Sequence, residues 1–267
     1  MKYIKKRIKN AKLVLYILSN YKEIDANRRR PMLVICPGGG YQYCSSREAE
    51  AVAIKFLSYG YNTAVLNYTT TSKCKTKKKL YPLPIKQLAK AIKHIRKHAD
   101  KYNTDPDKIC TIGFSAGGHL VASLGCFWKK YGENSKPNAQ VLCYSVISSG
   151  KFGHINSFEN LCGKNEKLIK KLSLENCVNQ QVPPTFIWAT KTDTCVPYQN
   201  SLLFENSLKK ENVPVKSHYF KTGEHGLSLA TKEVNSDKHP HSNPEVAKWP
   251  LMVHKWLTEQ FIEDYTK

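Results

Sequence analysis

At 267 residues, 41% of them hydrophobic and 10% aromatic, the chain carries enough apolar mass for one large core, which excludes a disordered polymer. Its net charge of +21 comes almost wholly from lysine, with only six arginines and no aromatic or Gly-rich RNA-binding motif. The charge therefore reads as solvated surface, and nucleic acid is not expected as a partner. No run reaches the ~18 apolar residues of a bilayer span, so no membrane association is expected either.

The first twenty residues, "MKYIKKRIKNAKLVLYILSN", begin basic and turn apolar, but the apolar part is short and no small-residue cleavage site follows. "KLVLYIL" is read as a first strand, and the expected location is the cytoplasm. "PMLVICP" is a second β-branched run. "SREAEAVAIKFLSYG" places Ala51, Ile54, Phe56 and Leu57 at helical spacing, with Gly60 as its stop. The strand "YNTAVLNY" follows. From Pro84, apolar residues Ile85, Leu88, Ile92, Ile95 and Ala99 recur at steps of three and four, while Lys86, Lys90, Lys93 and Lys97 fall on the other face.

Lys108–Phe114 reads as a strand and Gly117–Phe127 as a helix. "AQVLCYSVIS" and "PTFIWAT" are further strands, then helix Pro197–Lys210, strand "VKSHYF" and helix Pro244–Glu263. Strands alternating with helices predict an α/β fold, with a mostly parallel sheet covered on both faces. There are no repeats and no linker, so residues 1–267 are expected to form one domain, with the polar stretch 150–182 as a small cap insertion. Nine cysteines are dispersed without a C-x-x-C pair, which reads as reduced thiols; no Cys/His group has zinc-ligand spacing, and no metal is expected.

Gly113-Phe114-Ser115-Ala116-Gly117 fits G-x-S-x-G in the context that motif requires, a strand, a sharp turn and a helix. Such a turn lifts the serine above the sheet beside backbone amides at a helix N-terminus. "CPGGGY", right after a strand, exposes further amides. The Gly39 and Gly40 N–H groups can join that of Ala116 in an oxyanion hole, whereas "GGGYQY" is not a dinucleotide-binding G-x-G-x-x-G.

A serine hydroxyl needs a histidine base oriented by a carboxylate, and in this sheet both belong on later loops in the order Ser, Asp/Glu, His. "KTDTCVP" follows "PTFIWAT" and offers Asp193; "KTGEHGLSLA" follows "VKSHYF" and offers His225. Among nine histidines, His94 and His98 lie on the basic helix, His218 within a strand, and His119 beside the serine, where it can pack beneath it. His239 and His241 lie farther along and are the second choice for the base. Glu224 adjoins His225 and cannot easily fold back to orient it. Tyr41 and Gln42, with Tyr43, suit a sugar's hydroxyls and ring face.

Together "CPGGGY…SREAE", "GFSAGGHL", "PPTFIWATKTDTCVPYQNS" and "GEHGLSLA" resemble the α/β-hydrolase fold. More narrowly they resemble the small bacterial acetylesterases and carbohydrate esterases, of the acetyl-xylan or feruloyl esterase kind, from about Pro31 to Leu229. The resemblance implies a Ser115–Asp193–His225 triad, an oxyanion hole from the glycine loop and Ala116, and cofactor-free hydrolysis of small acyl esters, often on sugars. One departure stands out. Many related enzymes have His-Gly-Gly-Gly where this chain has Pro37-Gly-Gly-Gly, and proline cannot supply the ring hydrogen bonds that hold that loop. Two rivals are weaker. Peptidases of the prolyl-oligopeptidase kind carry a large N-terminal domain, where only about 30 residues precede the glycine loop here. A basic binding protein on a dead hydrolase scaffold is expected to lose a triad member.

Overall fold

The computed structural model describes residues 1–74, 79–237 and 242–261. Its centre is an eight-stranded sheet: β1 (Lys2–Ile8), β2 (Ala11–Ile17), β3 (Arg30–Cys36), β4 (Asn62–Asn67), β5 (Thr104–Phe114), β6 (Ala139–Cys143), β7 (Thr185–Thr190) and β8 (Val215–Phe220). Their order is β1-β2-β4-β3-β5-β6-β7-β8. β1–β2 and β2–β4 pair antiparallel; every later pairing is parallel. The helices are α1 (Glu50–Leu57), α2 (Leu83–Lys97), α3 (Ala116–Phe127), α4 (Ile155–Cys162), α5 (Glu166–Lys171), α6 (Gln199–Lys210) and α7 (Trp249–Phe261).

Alternation along the central strands sends side chains to both faces, so each face must be covered by helices. Met32, Val34 and Cys36 of β3 join a core with Leu88 and Ile92 of α2, Leu120 and Leu124 of α3, and Phe204 of α6. Leu33 and Ile35 face the other way, into a core with Phe56 of α1 and Trp249, Val253 and Trp256 of α7. On α2 the buried stripe is Ile85, Leu88, Ile92 and Ile95, while Lys86, Lys90 and Lys97 are exposed.

Several boundaries differ from the sequence reading. "KYIKKRI" is not only a basic cluster but the edge strand β1, turning back on β2 through Lys9 at φ 52°. Its outer side is unpaired among the described residues, and Lys2, Tyr3, Lys5, Lys6 and Arg7 are all exposed. β5 begins at Thr104, before the expected Lys108. β6 stops at Cys143 because Tyr144 takes φ 37°, which extended backbone does not allow. The stretch 150–182 holds α4 and α5. α7 begins at Trp249, five residues after the expected start, and the expected end at Glu263 lies outside the described residues. Among the described residues no helix is long and apolar enough to cross a membrane, and no group of His, Cys, Asp and Glu has a metal-holding arrangement.

The parallel registers align the C-terminal ends of β3, β5, β6 and β7, with Cys36 opposite Gly113, Phe114 opposite Cys143 and Cys143 opposite Trp188. Loops leaving that edge meet in one place, as ligand sites of open α/β sheets do.

Candidate active site

β5 ends and α3 begins around Ser115, whose backbone is held at φ 51°, ψ −120°. Such a conformation costs a non-glycine residue about 1–3 kcal/mol and persists only where its surroundings enforce it. Here Ser115 N–H donates to Cys143 O at 3.0 Å, and Ser115 O accepts from Gly118 N at 3.0 Å and Val146 N at 3.1 Å. The flanking glycines are dictated by close approach. A Cβ at Gly113 would sit on the Gly117 carbonyl, and one at Gly117 on the carbonyls of Cys36 and Pro37.

The loops after β7 and β8 bring Asp193 and His225 to this serine. His225 Nε2 lies 2.9 Å from Ser115 Oγ, and His225 Nδ1 lies 2.7 Å from Asp193 Oδ2. The carboxylate only accepts, so Nδ1 carries the proton and Nε2 is left to accept from the serine hydroxyl. Asp193 Oδ1 accepts from the Cys195 and Val196 amides, each at 2.9 Å, which fixes the carboxylate within its turn. Asp193 is 4% exposed and Ser115 8%. The two loops are stapled together: Thr192 Oγ1 donates to Gly223 O, and Gly223 N donates to Thr192 Oγ1, both at 2.9 Å. Tyr144 presents its ring edge-on to His225, with centroids 5.1 Å apart. Of the other histidines, His94 bonds to Tyr102 and His218 packs on Phe220. His239 and His241 lie outside the described residues.

The glycine loop after β3 turns through Gly39 at φ 114°, Gly40 at φ 60° and Tyr41 at φ 59°. Among the described residues the Gly39, Gly40 and Ala116 amides donate to no other group. Side chains distant in sequence hold the loop where related enzymes use a histidine. Glu48 Oε2 accepts from Gly38 N at 2.6 Å, Tyr68 donates to Pro37 O at 2.7 Å, and Asn160 Nδ2 donates to Gly40 O at 2.9 Å. The buried Glu48 also accepts from the Tyr144 hydroxyl at 2.6 Å, and Tyr144 in turn accepts from Ser228 N at 3.0 Å. Arg47 Nη1 donates to Gly226 O at 2.7 Å, and Ser228 Oγ donates to Arg47 O at 2.6 Å. Residues 47–48 thus tie the glycine loop to the loop of His225.

One expectation needs correction. Tyr41 is 1% exposed and its hydroxyl bonds to His119 Nδ1 at 2.9 Å, so it lies under the loop and offers nothing to a substrate. His119 Nε2 donates to Leu172 O at 3.0 Å, leaving Nδ1 to accept from Tyr41. Burial lowers the His119 pKa to about 4, which keeps the ring neutral.

Ser115, His225, Gly39 and Gly40 open into a cavity of about 540 Å³. Gln42, Tyr43 and Arg47 contribute to its lining from the glycine-loop side. His154, Asn156 and Asn160 contribute from the 150–182 segment, which is therefore a wall of the site. His154 Nδ1 lies 2.8 Å from Ser157 Oγ. Its pKa is below the ordinary value, through burial first and the nearby His225 second, with Asp193 acting the other way. Glu48, Tyr144 and His154 were not expected from the sequence. Glu48 sits inside the quoted "SREAE", but nothing local pairs it with Tyr144.

The profile of the BD-FAE family matches residues 18–208. Endo-1,4-beta-xylanase B of Butyrivibrio fibrisolvens is 38% identical over 226 residues, 81% of this chain and 35% of that protein. The acetylxylan esterase of Xylanibacter ruminicola is 28% identical over 207 residues, 74% of this chain and 41% of that protein. The chain thus spans well under half the length of these two relatives. Among solved structures, the acetyl ester-xyloside bifunctional hydrolase from Caldicellulosiruptor lactoaceticus superposes with a TM-score of 0.80 at 36% identity, covering 93% of this chain and 88% of that one. The chain belongs to the BD-FAE family and has the α/β-hydrolase fold.

Proposed function

We propose that the protein is a serine carboxylesterase for short-chain acyl esters, acting on O-acetyl groups of sugars or related small alcohols. The observation that carries this reading is the hydrogen-bonded chain from Ser115 through His225 to the buried Asp193, opening on a cavity that Gln42, Asn156 and Asn160 help to line. Ser115 Oγ attacks the ester carbonyl while His225 Nε2 takes its proton, and Asp193 stabilises the imidazolium. The Gly39, Gly40 and Ala116 amides receive the oxyanion, each donor contributing about 3–4 kcal/mol to the transition state. His225 then protonates the leaving alcohol as the carbon–oxygen bond breaks. Water repeats the sequence on the acyl-enzyme and releases the acid.

The amide side chains in the lining support a small, hydroxyl-bearing substrate. Gln42, Asn156 and Asn160 face the cavity, and Tyr43, 54% exposed at its rim, offers a ring face. The names of the two esterase relatives point to the same class. A serine-directed phosphonate tests the reading directly. It should label Ser115 alone and abolish turnover of nitrophenyl acetate in proportion to labelling. Labelling elsewhere, or turnover that survives complete labelling of Ser115, rejects it.

A further inference from the structure

The mechanism above uses no atom of His154, yet this ring is set into the same cavity. It stands at the N-cap of α4, with Nδ1 pinned 2.8 Å from Ser157 Oγ. Ser157 is itself buried, so the imidazole is fixed from behind. Its Nε2 has no hydrogen-bond partner among the described residues. His154 is half-buried and lines the same cavity as Ser115 and His225.

The half-buried ring holds Nε2 in a fixed direction in the cavity, where a polar group of the substrate can replace solvent as its partner. The acyl half of a small ester cannot supply one. An acetyl group has a single polar atom, its carbonyl oxygen, and in the proposed mechanism that atom belongs to the Gly39, Gly40 and Ala116 amides. Its methyl group bonds to nothing. The partner must therefore come from the alcohol half, and it must be a second polar group, because the ester oxygen is the one that His225 protonates. Asn156 lines the cavity from the same helix and widens the polar surface.

We infer that His154 Nε2 binds a free hydroxyl on the alcohol half of the substrate, next to the esterified oxygen, so that the enzyme selects partly acylated polyols such as a sugar ring over simple alkyl or aryl esters. This rests on the esterase reading and deepens it.

The test compares two esters that differ in one hydroxyl: a methyl pyranoside monoacetate with a free neighbouring hydroxyl, and its deoxy analogue. Wild-type enzyme should favour the first by about tenfold in kcat/KM, the range of one well-formed hydrogen bond. In H154N the shorter amide keeps a group near Ser157 but none at the Nε2 position, and the preference should fall to about one. H154Q reaches that position and should restore most of it. A wild-type enzyme without preference between the two esters overturns the inference. So does a folded H154N that keeps the preference, or that loses rate equally on both. Wild-type enzyme inert towards both esters and towards nitrophenyl acetate overturns the esterase reading itself, which separates the two failures.

Discussion

Replacing Glu48 with alanine takes one carboxylate away from two buried groups at once. The Gly38 amide and the Tyr144 hydroxyl each lose an acceptor at 2.6 Å, at a position where Glu48 is only 3% exposed. Hydrogen bonds to charged groups contribute roughly 1.5–3 kcal/mol each, so the pair puts about 3–6 kcal/mol at stake. A domain holds about 5–15 kcal/mol in all, which leaves E48A near the threshold of folding. The loss also reaches the chemistry, because Gly39 follows directly on the released amide. Losing one oxyanion donor costs about 10²–10³ in kcat, and a loosened loop should approach the lower figure. Glutamine tests the same position more gently: its oxygen can accept from Gly38 while its amide donates to the Tyr144 oxygen. Urea denaturation should give midpoints in the order E48A, E48Q, wild type with a common slope. At urea-free conditions where each is folded, E48A should lose about a hundredfold in kcat on nitrophenyl acetate and E48Q far less, with smaller changes in KM. A folded E48A with wild-type kcat and an unshifted midpoint refutes this account of the loop.

Ser115→Ala should leave circular dichroism unchanged and remove nearly all esterase activity. Asp193→Asn and His225→Ala should each lower kcat by about 10⁴, and combining either with S115A should cost little more; activity that survives H225A but not His239→Ala or His241→Ala would move the base. Across nitrophenyl esters of two to twelve carbons, kcat/KM should peak between acetyl and butyryl. An apolar channel would instead add about 0.8 kcal/mol per methylene, so a peak at eight carbons or more rejects the small-acyl reading. Turnover of a neutral ester should change little between low and ~0.3 M salt, since most lysines lie outside the cavity; a steep fall would mean that charge steers the substrate. Finally, His119 is held neutral with its pKa lowered to about 4, below the ordinary 6.5. The unfolded chain takes up its proton first, so this ring's contribution is present above pH 6.5 and is lost as pH falls towards 4. Urea titrations from pH 7 to 4 should show stability falling, with a shallower fall in His119→Gln; identical slopes in the two proteins refute the assignment.

The parts that were readable from sequence are those whose physics is local. G-x-S-x-G declares a strand, a turn and a helix within a few residues, and the loops of Asp193 and His225 follow short runs, "PTFIWAT" and "VKSHYF", that read as strands. β1 was not readable because an edge strand is covered on one side at most. "KYIKKRI" buries only Ile8 fully, so no apolar face repeats every second residue. α4 and α5, at eight and six residues, are too short to show a helical period. The supports of the site were invisible for a different reason. Glu48 and Tyr144 are 96 residues apart, and Ser228 is another 84 along; their bonds exist only because the sheet brings the loops of β3, β6 and β8 to one edge. Tyr41 was misplaced because adjacency in the glycine loop says nothing of which side a tyrosine takes when φ turns positive.

The edge strand β1 bears on how copies of the protein behave together. An unpaired strand edge offers a row of N–H and C=O groups on which another chain can add, the first step of ordered aggregation. Here Lys2, Lys5, Lys6 and Arg7 stand exposed along that row. Two molecules approaching edge to edge must bring these cations together before a single ladder bond can form. The repulsion is long-ranged in dilute buffer and short-ranged in salt, where the Debye length shrinks from ~30 Å at 0.01 M to ~3 Å at 1 M. Concentrated stocks should therefore keep best at low ionic strength, and polyanions that mask the hairpin should be the most effective precipitants.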